Sequence, residues 1–124
     1  MNYDWSQIEA VILARVSDDR EGTSDSTSEQ VDEAIEWCGE HGVDVAETLI
    51  EDDIGASRYS RKERPQYERA KRLLSEKSTK LRMLITWESS RAQRRLDWYV
   101  DLRKIFEKSG ALWMYNGHVY DIAN

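Results

Sequence analysis

The chain has 124 residues, one cysteine, two histidines and a formal net charge of −6. That length suits a single domain with its own core; no stretch is apolar enough to span a membrane, and Met1 to Trp5 is no signal peptide. A lone Cys38 excludes an internal disulfide and a Cys-based zinc cluster, and His41 and His118 lie far apart in turn-like contexts, against a His-based metal or triad site; a reducing, cytoplasmic compartment fits all of this.

The net charge conceals an asymmetry. Residues 1–57 hold sixteen acids and two bases, a net of −14, whereas residues 58–104 hold fifteen bases and six acids, a net of +9. A basic segment of that density is the footprint expected for a polyanionic partner, while the acidic first half argues against strong DNA binding by this domain in isolation.

The elements follow a βα rhythm. Ala10-Val11-Ile12-Leu13-Ala14 is a continuous apolar run and predicts a buried strand that exits through Arg15-Val16-Ser17. The polar stretch Asp18 to Asp25 reads as a loop. Thr27 to Gln30 has capping-box spacing with Thr27 as N-cap, and Val31, Ala34, Ile35 and Cys38 form the stripe of a helix that Gly42 terminates. Val43 to Ile50 alternates loosely as a second strand. A loop from Glu51 to Arg58 then leads to Pro65 at a helix start, with Tyr67, Ala70, Leu73 and Leu74 on the buried side.

Leu81 to Trp87 predicts a third strand, and Leu96, Tyr99, Leu102 and Phe106 mark a helix over roughly residues 93–109, ended by Gly110. Ala111 to Tyr115 is a short fourth strand, and Asn116-Gly117 signals a tight hairpin into His118-Val119-Tyr120. The fold class expected is α/β: a mostly parallel sheet of four to five strands, helices on both faces, one antiparallel edge strand. Trp87, Trp98, Trp113 and Tyr115 read as packing residues, with Trp5 and Trp37 partly exposed. The chain stops after Ile122-Ala123-Asn124 without a capping element, which suggests a fragment of a longer protein.

Strand alternation puts Arg15 and Ser17 on one side at the carboxyl end of the first strand, where open α/β sheets place their chemistry. Taken alone, Ser17 reads as a loop cap and Arg15 as the partner of an acid. A parallel sheet also brings to that edge the loop holding Arg58 and the segment Glu88-Ser89-Ser90-Arg91, followed by Arg94 and Arg95. Four guanidiniums around one hydroxyl repel one another unless an anion sits among them, and a phosphodiester supplies it.

At these residues the sequence resembles the serine recombinases, the group of resolvases, invertases and large serine integrases. The resemblance rests on Ala14-Arg15-Val16-Ser17 with Ser28-Glu29-Gln30, on Asp53-Ile54-Gly55-Ala56-Ser57-Arg58 with Arg64-Pro65, and on Ser90-Arg91-Ala92-Gln93-Arg94, in the family's order. It implies a resolvase-like catalytic domain over residues 1–124, with the C-terminal DNA-binding region absent, and a large serine integrase as the nearest type. It implies Ser17 as the nucleophile that attacks a DNA phosphodiester to form a 5′-phosphoserine link, with Arg15, Arg58, Arg91 and Arg94 binding the scissile phosphate and Gln30 positioning the site. No metal or ATP is required in that chemistry. The implied partners are double-stranded DNA sites and further copies of the chain, a homodimer that assembles to a tetramer.

One departure stands out: Ser90 occupies the place of the family's aspartate, a candidate acid toward the leaving 3′-oxygen, and Glu88 lies two residues earlier. Two other readings compete. Asp18, Asp19, Asp52, Asp53 and Glu88 near strand ends would suit a Mg-dependent phosphoryl-transfer domain of receiver or topoisomerase-primase type, although four arginines have no role there. The missing aspartate also suits a recombinase-like domain that has lost catalysis and serves in assembly.

Overall fold

The computed structural model describes residues 3–16, 23–52, 65–86, 102–115 and 117–123. A short 3-10 turn, Trp5–Gln7, is capped by the Asp4 carboxylate, which accepts from the Ser6 amide at 3.2 Å. The elements that follow are β1 (Ile8–Val16), α1 (Thr23–His41), β2 (Asp44–Asp52), α2 (Pro65–Ser75), β3 (Leu81–Thr86), α3 (Leu102–Ser109), β4 (Leu112–Tyr115) and β5 (His118–Tyr120).

The sheet order is β2-β1-β3-β4-β5. β1 pairs in parallel with β2 and β3, β3 pairs in parallel with β4, and among the described residues only the β4–β5 hairpin is antiparallel. The central position of β1 explains its unbroken apolar run. Val11 and Leu13 pack with Leu49 and Leu84 against α2 and α3, while Ala10 and Ile12 pack with Met83, Ile85 and Met114 against Ala34 and Cys38 of α1. Helices therefore cover both faces, as parallel sheets require. Tyr67, Ala70 and Leu74 of α2 and Leu102 and Phe106 of α3 are buried, with Leu73 and Ile105 half-buried at the margin.

Two helix ends follow from glycine. Gly42 (φ 73°) closes α1, and the Val43 amide returns to the Cys38 carbonyl at 2.9 Å. Gly110 (φ 77°) closes α3, with its own amide on the Phe106 carbonyl at 2.9 Å. Both use a left-handed C-terminal residue to satisfy carbonyls the helix leaves unpaired.

Several details differ from expectation. α1 starts at Thr23, four residues before the expected N-cap Thr27, so the end of the expected loop is helical; once downstream turns exist, each added residue gains a hydrogen bond without a new nucleation cost. β2 extends through Glu51 and Asp52 because both have ladder partners in Arg15 and Val16. Its loose alternation has a cause in a bulge: Ala10 faces Val45 but Val11 faces Glu47, which leaves Ala46 as the extra residue. His41 is the last residue of α1, where Nδ1–H donates to the Trp37 carbonyl at 2.9 Å and the ring stacks on Trp37 at 3.9 Å. Trp87, Leu96, Trp98, Tyr99 and Asn116 lie outside the described residues.

Candidate active site

The parallel ladders bring the carboxyl ends of four strands to one edge. Val16 stands opposite Asp52, Leu13 opposite Thr86, and Thr86 opposite Tyr115, so β1 and β2 project past the ends of β3 and β4. Arg15 lies in this projecting part, in register with Glu51. It is described in backbone only. Ser17 follows Val16 directly in sequence, but Ser17, Arg58, Arg91 and Arg94 all lie outside the described residues, as do Ser90 and Glu88. Gln30 is half-buried on α1, the helix that follows β1 and packs over its face.

The best-defined polar group at this edge is one the sequence reading assigned to a loop. Glu51 is 3% exposed, and its Oε1 accepts from the backbone amides of Gln66 (3.0 Å) and Tyr67 (2.9 Å). These are the second and third residues of α2. Pro65 at the first position has no N–H, so Glu51 satisfies two of the three free amides in the opening turn. Its negative charge also meets the positive end of the helix dipole. A sequence signal existed: Arg64, before Pro65, has no side chain able to cap a helix, so the acceptor had to come from elsewhere. Nothing local says that it comes from β2.

Thr86, the last residue of β3, is 1% exposed, and its hydroxyl accepts from the Trp113 indole N–H at 2.8 Å. Trp113 stacks on Phe106 of α3 at 5.6 Å and meets Tyr115 edge-on at 6.1 Å. The packing role expected for Trp113 and Tyr115 is thus observed. Through these contacts the ends of β3 and β4 are tied to α3, much as Glu51 ties the end of β2 to α2.

Away from this edge, Cys38 is buried at 1% exposure, and burial pushes its thiol up to about 11. It is the core residue expected, and poorly nucleophilic, since the thiolate is the reactive form. Among the described residues no group of three or more His, Cys, Asp and Glu is arranged to hold a metal ion, and no helix is long and apolar enough to cross a membrane. Of the five acids that motivated a Mg-dependent reading, only the backbone of Asp52 is described.

A mostly parallel sheet, wrapped by helices and with strand ends gathered at one edge, defines an α/β domain of the class that does its chemistry at the carboxyl edge. The signature of the family described as Resolvase, N terminal domain, matches residues 10–116, nearly the whole described fold. The chain belongs to that family, the catalytic domain of the serine recombinases. Membership implies a DNA substrate and association between copies. No curated protein and no solved structure matches the chain significantly.

Proposed function

We propose that this domain cleaves and rejoins DNA at specific sites, with Ser17 as nucleophile. The Ser17 Oγ attacks the scissile phosphorus and gives its proton to water, the bond to the 3′-oxygen breaks, and that oxygen takes up a proton and leaves as a 3′-hydroxyl. The 5′-phosphate stays on Ser17 as a phosphodiester, so the reverse attack by a 3′-hydroxyl from another strand reseals DNA without an external energy source. Arg15, Arg58, Arg91 and Arg94 offset the charge that builds on the phosphoryl oxygens, and Gln30 positions the site. Ser90 stands in place of the aspartate that is the candidate proton donor to the leaving oxygen, and Glu88 is the nearest acid in sequence.

The observation that supports this reading most is the shared carboxyl edge. β1, β2 and β3 end there, and the chain leaves them toward Ser17, Arg58 and Arg91 in turn. In the same reading the domain is the catalytic part of a larger recombinase, working in the cytoplasm as dimers that pair into a tetramer on DNA.

The test is adduct formation on a duplex carrying a recombination site, in glycerol-containing buffer with EDTA. A covalent protein–DNA species that Ser17→Ala and Arg91→Ala both abolish supports the assignment. Near-normal cleavage by Arg91→Ala refutes the site. Cleavage without an adduct in a parallel reaction with Mg²⁺, absent when EDTA is present, refutes the mechanism in favour of a metal enzyme.

A further inference from the structure

At the opposite edge of the sheet a groove of about 920 Å³ opens between the carboxyl ends of α2 and α3 and the start of β3. Its apolar part is made by Leu74, Leu81, Ile105 and Ala111. Leu81 is 39% exposed, an unusual position for the first apolar residue of an inner strand. Leu81 stands about 16 Å along β3 from Thr86 at its carboxyl end, because five strand steps of about 3.3 Å each separate them. The groove has no part in the chemistry proposed for Ser17.

The rim is cationic on both walls. Lys77 and Lys80 stand on the loop between α2 and β3, and Lys104 and Lys108 stand one helical turn apart on α3. Lys80 is neutralised by Asp44 at 2.6 Å, and Arg82, also in the lining, is held by Glu9 and by the Leu73 carbonyl at 2.8 Å. Lys77, Lys104 and Lys108 are exposed and form no ion pair among the described residues. Lysines at helix carboxyl ends offset the dipole, which accounts for Lys108 but not for Lys77 on the facing loop.

We propose that this groove binds a short acidic, amphipathic segment of a partner protein, its apolar side chains on Leu81 and Ile105 and its carboxylates on Lys77, Lys104 and Lys108. The floor decides between an acidic peptide and a nucleic acid. A phosphodiester backbone has nothing to place on exposed leucine, whereas the apolar face of an amphipathic peptide does. A helix with an acid at every fourth position matches the one-turn spacing of Lys104 and Lys108 while its apolar face covers the floor.

The test is fluorescence anisotropy of the whole chain with a short labelled helical peptide carrying leucines on one face and glutamates beside them. A scrambled peptide of the same composition and a labelled duplex serve as comparisons. Saturable binding is expected below about 1 mM, weakened about tenfold by Lys104→Glu with Lys108→Glu and by Leu81→Asp, and by less than that with the lysines changed to glutamine. Ser17→Ala leaves it unchanged. Circular dichroism confirms that the surface variants remain folded. No saturable binding, equal binding of the scrambled peptide, or indifference to the α3 substitutions overturns the proposal. A matching loss of duplex binding in the α3 variant would make the groove a DNA contact instead. Concentration-dependent self-association that this variant abolishes would make it a contact between copies.

Discussion

Replacing Glu51 with alanine tests whether the carboxyl edge is built through a buried charge. Its carboxylate accepts two backbone amides at 3.0 and 2.9 Å and the residue is 3% exposed, so alanine takes the acceptor away from both amides. A side-chain cap is ordinarily worth about 0.5–2 kcal/mol, and hydrogen bonds to charged groups about 1.5–3 kcal/mol each. Two such bonds shared by one oxygen, less the desolvation of the carboxylate, place the loss at about 2–4 kcal/mol. Urea unfolding reads this as a lower midpoint with an unchanged slope.

Glu51→Gln separates the contributions. The amide oxygen still accepts hydrogen bonds but carries no charge, and the loss is expected at about half that of alanine. Amide exchange at Gln66 and Tyr67 accelerates in both variants before global unfolding does. A Glu51→Ala protein within about 0.5 kcal/mol of the parent, with exchange in α2 unchanged, would refute the account. Because Arg15 is the ladder partner of Glu51, loss of DNA cleavage should accompany loss of the cap.

Three further outcomes follow from particular contacts. Cys38, with its thiol near 11 and its side chain buried, stays unreacted with iodoacetamide at pH 8 until urea unfolds the chain; alkylation of the folded protein would contradict its packing. The Glu47 carboxylate is held below its usual range by two hydrogen bonds from Arg69, at 2.6 and 2.9 Å. Its stabilising effect is therefore present above the unfolded carboxylate value of about 4.3 and is lost as pH falls through the depressed folded value. Arg69→Gln should flatten the acid limb of a stability–pH curve, and an unaltered limb would show that the pair contributes nothing. Thr86→Val keeps the shape of the side chain but removes the acceptor of the Trp113 N–H, costing about 1–2 kcal/mol and moving the indole proton resonance; an unmoved resonance would discount the bond.

What the sequence made legible was local. The apolar run of β1, the proline that opens α2, and the glycines that close α1 and α3 each impose their structure within a few residues, and each element formed as read. What it hid was non-local. Glu51 meets Gln66 and Tyr67 across 15 and 16 residues, and Thr86 meets Trp113 across 27, so no window of pattern reveals either pair. The bulge at Ala46 only loosened the pattern of β2, since one extra residue reverses the alternation on which a strand is read. The proposed catalytic residues were legible only as short motifs in order, because whether they meet depends on how the chain runs beyond the ends of three parallel strands.

The lopsided charge has a spatial counterpart. Glu29, Asp32, Glu33, Glu36 and Glu40 are all exposed on α1, so much of the acid of the first half forms one wall over one face of the sheet. On α2 and α3 the charges instead largely pair within the element or with β2: Arg69 with Glu47, Lys71 with Glu68, Arg103 with Glu107. A duplex nearing the carboxyl edge therefore meets uncompensated negative charge from the α1 side, which slows encounter without touching the chemistry. Neutralising that wall with Glu33→Gln, Glu36→Gln and Glu40→Gln should speed DNA association several-fold at low salt. The gain should vanish as the screening length shrinks from about 30 Å at 0.01 M to about 3 Å at 1 M salt. Dissociation and the rate of strand cleavage in the bound state should not change. Equal association rates at low salt would mean that the acids of α1 face away from the path of the DNA.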